Sequence, residues 1–218
     1  MIKSIILDMD GTMFDTEPLW KIAFQKTGHD LGYNITEELH TKTIGSNQTD
    51  LNKILENEFG EEFPFEEFST KYVENMKSII EEYGISAKPG LKELLEYLIN
   101  NNYQIAIASS SSLMMIKNNL KKANIDENIF KTIVSGENFI NGKPNPEIFL
   151  KTCELLNAEP QDTIVIEDSN NGIKAAFSAG CIPILIPDVD RIKEEVKSMA
   201  KYELNSLLEV IDLLETKK

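Results

Sequence analysis

From Lys88-Pro89-Gly90 onward the chain alternates short β-branched runs with amphipathic stretches, and no other feature constrains the fold as tightly. A helical pattern (Leu91, Leu94, Leu95, Leu98) precedes a strand over 103–108, a helix opening in the serine run Ser109 to Ser112, a strand over 132–134 and a helix after Pro146. A strand over 163–166, a helix ending at Gly180 and a strand over 182–186 complete the series. Strands separated by helices pair in parallel, so the pattern predicts an α/β fold with helices on both faces of a parallel sheet. Residues 2–8 add one more buried strand at the start. Leu207, Leu208, Ile211 and Leu214 predict a last helix packed on this core.

Between these parts the pattern changes. From Glu17 to about Gly84 apolar residues recur three to four apart (Leu51, Ile54, Leu55, Phe59; then Phe65, Phe68, Tyr72, Met76, Ile79, Ile80, Tyr83), broken by Gly28, Gly32, Gly45, Gly60 and Pro64. This predicts about four helices. The expected organisation is therefore a Rossmann-like α/β core, residues 1–15 with 88–218, carrying a helical insertion at 16–87. Fourteen of the 36 acidic residues fall in the insertion against six lysines. Solvated helix faces account for such a surplus.

The net charge of −14 and the single arginine, Arg191, exclude a polyanion-binding surface, because nucleic-acid binding depends on clustered Lys and Arg. The expectation is no nucleic-acid partner. The run Ile5-Ile6-Leu7 is cut short by Asp8 and Asp10, so it is too brief for a signal peptide or a membrane span. Cys153 and Cys181 lie in apolar stretches without a disulfide spacing, and both are expected to be buried thiols of a cytoplasmic protein with no membrane partner.

Chemistry concentrates where strands end. In Asp8-Met9-Asp10-Gly11-Thr12 two carboxylates sit two apart at the end of the first strand, costly without a cation. The glycine falls too early for an EF-hand loop. Ser109 to Ser112, Lys143 before Asn145-Pro146, and Glu167-Asp168 stand at or just beyond three other strand ends. Open parallel sheets bind ligands beyond the carboxyl ends of their strands. Each cluster also has a purely structural reading: a helix cap, a solvated lysine, a polar turn. Gly136 to Lys143 is not a P-loop, having five residues between its glycines and Pro144 where Ser or Thr belongs. Two scattered histidines and two cysteines offer neither a zinc site nor a Ser-His-Asp triad.

Taken in order, Asp8-Met9-Asp10-Gly11-Thr12, Ser109, Lys143-Pro144-Asn145-Pro146 and Glu167-Asp168-Ser169 resemble the four motifs of the haloacid dehalogenase superfamily, and the insertion resembles the cap of its β-phosphoglucomutase-like phosphatases. The resemblance implies a phosphatase of small phosphate esters, sugar phosphates first among them. It makes Asp8 the nucleophile that forms an aspartyl-phosphate and Asp10 the general acid and base. It implies Mg²⁺ held by Asp8, the Asp10 carbonyl and Asp168, with Glu167 a ligand or a partner behind the ligands. Gly11, Thr12, Ser109, Ser110 and Lys143 would hold the phosphoryl oxygens.

By the same resemblance the insertion is a lid whose Thr16, Trp20, Gly45 and Gln48 meet the substrate. The mutase has His at the position of Trp20 and Arg at that of Gln48. A neutral Gln48 holds a second phosphate less strongly than a guanidinium, so a phosphatase is expected and a β-phosphoglucomutase is the alternative. A dehalogenase fits less well, because it needs neither Asp10 nor the metal, and a receiver-like phosphoacceptor would lack the large insertion. A monomer is the default expectation.

Overall fold

The structure is a computed structural model and describes residues 2–44, 48–188 and 192–216. It divides into two units, residues 1–15 with 86–218, and residues 16–85.

The first unit is built on a six-stranded parallel sheet in the order β5-β4-β1-β6-β7-β8. Its strands are β1 (Ser4–Leu7), β4 (Gln104–Ser109), β5 (Thr132–Ser135), β6 (Thr163–Glu167), β7 (Ile182–Leu185) and β8 (Tyr202–Glu203). Its helices are α5 (Leu91–Asn100), α6 (Leu113–Lys122), α7 (Glu147–Leu156), α8 (Asn170–Ser178), α9 (Glu194–Lys197) and α10 (Leu207–Glu215). The central strand is wholly buried, as a strand covered on both faces must be. By pleat alternation Ile6, with Ala106, Ala108 and Val165 of its neighbours, packs under Phe149 and Cys153 of α7 and Ala175 and Ala176 of α8. Ile5 and Leu7 point to the opposite layer, where α5 lies against β4 and α10 against α5.

The strands and helices expected from the alternation are all present, with ends shifted by a residue or two. The short strand β8 has no apolar run to betray it, because only Tyr202 and Glu203 pair there. The antiparallel pair β2 (Phe14–Asp15) and β3 (Ser86–Ala87) is likewise two residues long, with partners 71 and 73 positions apart. Ser86 and Ala87 go with the first unit through that pairing.

The second unit holds α1 (Glu17–Asp30), α2 (Glu37–Thr43), α3 (Gln48–Phe59) and α4 (Phe65–Tyr83), with α1 and α4 packed along each other. Phe24, Ile35, Leu39, Leu55, Phe63 and Phe68 form its core. Aromatic contacts run through it, Phe24 edge-on to Phe68 at 5.2 Å and Phe63 to Tyr33 at 4.8 Å. A buried polar link crosses the same helix pair: the Asn75 amide donates to Thr27 Oγ1 (3.0 Å) and Asp30 Oδ2 (3.1 Å).

Candidate active site

Parallel register assembles the site. Leu7 pairs with Ile107 on one side and Ile166 on the other. The next residue along, Asp8, therefore emerges between Ala108 and Glu167, and its N–H still donates to the Ile166 carbonyl at 3.0 Å. Adjacent strands lie about 4.8 Å apart, close enough for side chains from three strand ends to meet. Chain order reverses across β1, from β4 and β5 on one side to β6 and β7 on the other, which makes this the crevice where such sheets bind ligands.

Lys143 fills the centre. The loop after β5 carries it to Asp8 Oδ1 at 2.5 Å, Glu167 Oε1 at 2.7 Å and the Ala108 carbonyl at 3.1 Å, so all three ammonium hydrogens have acceptors. Its side chain is 6% exposed, and its ammonium lies 4.9 Å above the Phe149 ring. Burial alone would push this lysine down, but the Asp8 and Glu167 carboxylates outweigh it and hold the ammonium charged above its ordinary range.

The carboxylates are in the opposite position. Burial, reinforced by the charges of Glu167 and Asp10, pushes Asp8 up to about 8 despite Lys143. Burial, with Glu167 and Asp8 next, likewise raises Asp168 well above the carboxylate range. Oxygens of Asp8, Glu167 and Asp168 all fall within 4.8 Å of one another, and all three residues are buried. With all three carboxylates ionised, one ammonium would leave negative charge uncompensated, which is why two of them hold their protons in the absence of a metal cation. An all-oxygen donor set of this kind fits a hard divalent cation such as Mg²⁺.

Glu167 is held from every side. Its Oε2 accepts from the backbone N–H of Asp168 and Ser169 and from Ser169 Oγ, each at 3.0 Å, while Oε1 takes Lys143. Ser169 Oγ in turn accepts from the Gly172 N–H and caps α8. A Cβ at Gly172 would overlap the Glu167 carboxylate, so only glycine lets helix and carboxylate lie this close. Gly11 has φ +84 and its missing Cβ leaves room for the Asp168 carboxylate.

Of the residues expected in the site, the structure brings Asp8, Glu167, Asp168 and Lys143 together, with Gly11 and Thr12 against Asp168. The buried Thr12 hydroxyl donates to Asp168 Oδ1 at 3.0 Å, which ties its side chain to that carboxylate. The serine run divides its duties. Ser112 caps α6 by accepting from the Met115 N–H; Ser109 is buried, its Oγ accepting from the Ser111 N–H at 3.0 Å; Ser110 is exposed. The position missed by the sequence reading is Ser111, whose hydroxyl donates to Asp10 Oδ2 at 2.7 Å. A serine three residues into a polar run carries no signal of its own.

In the second unit Thr16 is buried and its carbonyl accepts from the N–H groups of Leu19 and Trp20. Trp20 packs 5.3 Å from Tyr72, a contact that makes it part of its unit's aromatic cluster. Gly45 lies outside the described residues, as does the side chain of Gln48.

The family model for haloacid dehalogenase-like hydrolases matches residues 5–186. The phosphorylated carbohydrates phosphatase of Thermotoga maritima is 33% identical over 179 residues, covering 82% of each chain. The phosphoglycolate phosphatase of Aquifex aeolicus is 32% identical over 184 residues, again covering 82% of each. Among solved structures, the β-phosphoglucomutase of Clostridium difficile superposes with a TM-score of 0.81 at 28% identity, covering 100% of this chain and 97% of its own. With the motif residues gathered at one strand-end crevice and the match running across both units, the chain belongs to the haloacid dehalogenase-like hydrolases and is a phosphatase of that family.

Proposed function

We propose that the chain hydrolyses phosphate monoesters of small metabolites, sugar phosphates foremost, through an aspartyl-phosphate on Asp8, with Mg²⁺ as cofactor. The observation that carries this reading is the Lys143 ammonium bridging Asp8 and Glu167 beside Asp168. Asp8 and Asp168 carboxylates with the Asp10 carbonyl would hold the cation. When bound, Mg²⁺ offsets the repulsion between carboxylate and phosphate and polarises the phosphoryl oxygens.

The chain's own residues do the rest. Asp8 Oδ attacks phosphorus as the ester P–O bond breaks, and the Asp10 carboxyl passes a proton to the departing alcohol oxygen. Asp10, now a carboxylate, takes a proton from the water that cleaves the aspartyl-phosphate, releasing phosphate and restoring Asp8. Lys143 neutralises charge on the transferring oxygens, with Ser109, Ser110 and the backbone of Gly11 and Thr12 around them. Thr16, Trp20, Gly45 and Gln48 of the inserted segment are proposed to contact the leaving group.

The likeness to phosphatases acting on phosphorylated carbohydrates and phosphoglycolate supports small phosphorylated substrates. A monomeric, cytoplasmic enzyme is the matching proposal; among the described residues no helix is long and apolar enough to cross a membrane. The test is Mg²⁺-dependent turnover of p-nitrophenyl phosphate, abolished by Asp8→Asn, followed by a screen of hexose, pentose and nucleotide monophosphates. Stoichiometric labelling of Asp8 without turnover would overturn the enzymatic reading. The structural likeness to a β-phosphoglucomutase keeps one alternative in view. Conversion of β-glucose 1-phosphate to glucose 6-phosphate faster than phosphate release would decide for it.

A further inference from the structure

We infer that Ser111 is a positioning residue for Asp10, aiming its carboxyl at the leaving-group oxygen; this rests on the phosphatase reading above.

The Ser111 hydroxyl donates to Asp10 Oδ2 at 2.7 Å. Ser111 cannot drift, because its own backbone is held at both polar groups: its N–H donates to Ser109 Oγ (3.0 Å) and its carbonyl accepts from Ser135 Oγ (2.8 Å). Both of those serines are buried strand-end residues, paired in register across β4 and β5. Behind them, a Cβ added at Gly136 would come within 2.8 Å of Ser110 Cα, so the two loops are in backbone contact. The sheet thus fixes Ser109 and Ser135, these fix Ser111, and Ser111 fixes one oxygen of Asp10.

The consequence is geometric. Asp10 lies beyond the end of β1, bridged to Phe14 across the turn at 11–13, where a carboxyl without an anchor would divide its time among several orientations. Anchoring Oδ2 restricts rotation of the carboxyl and so fixes its aim toward the departing alcohol. General acids act only within hydrogen-bond reach of the atom they protonate, and misplacement by about 1 Å is enough to lose about a hundredfold in rate. The step itself is unchanged: the Asp8–phosphorus bond forms, the ester P–O bond breaks, and the Asp10 proton moves to the leaving oxygen.

The prediction separates esters by their need for that proton. Phenyl phosphate releases a basic phenolate that must be protonated, whereas 2,4-dinitrophenyl phosphate releases a stable anion. In kcat/KM, which reports events up to ester cleavage, Ser111→Ala is expected to lose about tenfold more on phenyl phosphate than on the dinitrophenyl ester. That is a fraction of the roughly 10²–10⁴ that general acid–base catalysis supplies. Ser111→Thr, which keeps the hydroxyl, restores the ratio. Ser135→Ala, which frees the Ser111 carbonyl, shifts it the same way by a smaller factor and serves should Ser111→Ala fail to fold. Equal losses on both esters, or no loss on either, would overturn the inference. Wild-type protein inert toward both esters would instead overturn the phosphatase reading on which it stands.

Discussion

Lys143 Nζ lies 2.5 Å from Asp8 Oδ1, with 135 residues of chain between them. The same ammonium is 2.7 Å from Glu167 Oε1, so one buried cation serves two buried carboxylates contributed by adjacent strands. Replacing Lys143 with Met leaves both carboxylates without their cation. Removing one partner of a buried ion pair costs about 3–5 kcal/mol. The expected outcome is a loss of that size in the unfolding free energy obtained from denaturant titration without Mg²⁺, together with loss of turnover. A fully stable Lys143→Met protein would show that the pair does not hold the strand ends together.

Metal binding is expected to register in stability. A cation bound only by the folded protein stabilises it by about 2.7 kcal/mol at a hundredfold excess over its dissociation constant, which for a chain of this size is roughly 5–10 °C in melting temperature. Mg²⁺ should produce that rise in wild type and little of it in Asp168→Asn. Equal responses from the two proteins would remove Asp168 from the metal site.

Gly172→Ala inverts an ordinary rule. Within a helix alanine is better than glycine by about 1 kcal/mol, yet here the added methyl overlaps the Glu167 carboxylate. The substitution is expected to destabilise by about 2 kcal/mol or more, in line with overpacking, and to lower turnover by displacing Glu167 from Lys143. Thermal unfolding checks the sign: a stabilised variant would refute the clash.

His40 sets a pH dependence in the helical unit. Burial, aided by the charge of Lys21 and opposed by Glu37, holds its imidazole below the ordinary value of 6.5. Phe24 stands edge-on to its ring, and Glu17 Oε1 is 3.7 Å from its Nε2. A depressed pKa means that the unfolded chain binds the proton more readily. The His40 contribution is therefore complete above pH 6.5 and declines as pH falls through the lowered value. The difference in unfolding stability between wild type and His40→Phe, followed between pH 5 and 8, should carry this slope, since the titration of Asp8 is common to both proteins.

How much of this was legible follows from where the information lies. The strands over 103–108 and 163–166 announce themselves because a strand buried on both faces is a continuous apolar run. The polar clusters after them stand out for the same reason, as abrupt ends to such runs. β2, β3 and β8 carry no such run, since two paired residues leave no period to detect. Thr12 and Ser111 show the same limit within the site. Each is a small hydroxyl in a polar turn, and its partner, Asp168 for one and Asp10 for the other, is chosen by loop geometry.

The sequence alone therefore determined the alternating α/β core, the helical insertion and the identity of the chemical groups, because periodicity and motif spacing are local properties of the chain. Tertiary structure decided which groups touch. Parallel register set Asp8 between Ala108 and Glu167, the loop after β5 delivered Lys143 to both carboxylates, and the serines at 109 and 135 held Ser111 against Asp10. The physical reason is distance along the chain: these contacts join residues 24 to 159 positions apart, or depend on a turn whose course the neighbouring strands dictate, and no local pattern encodes them.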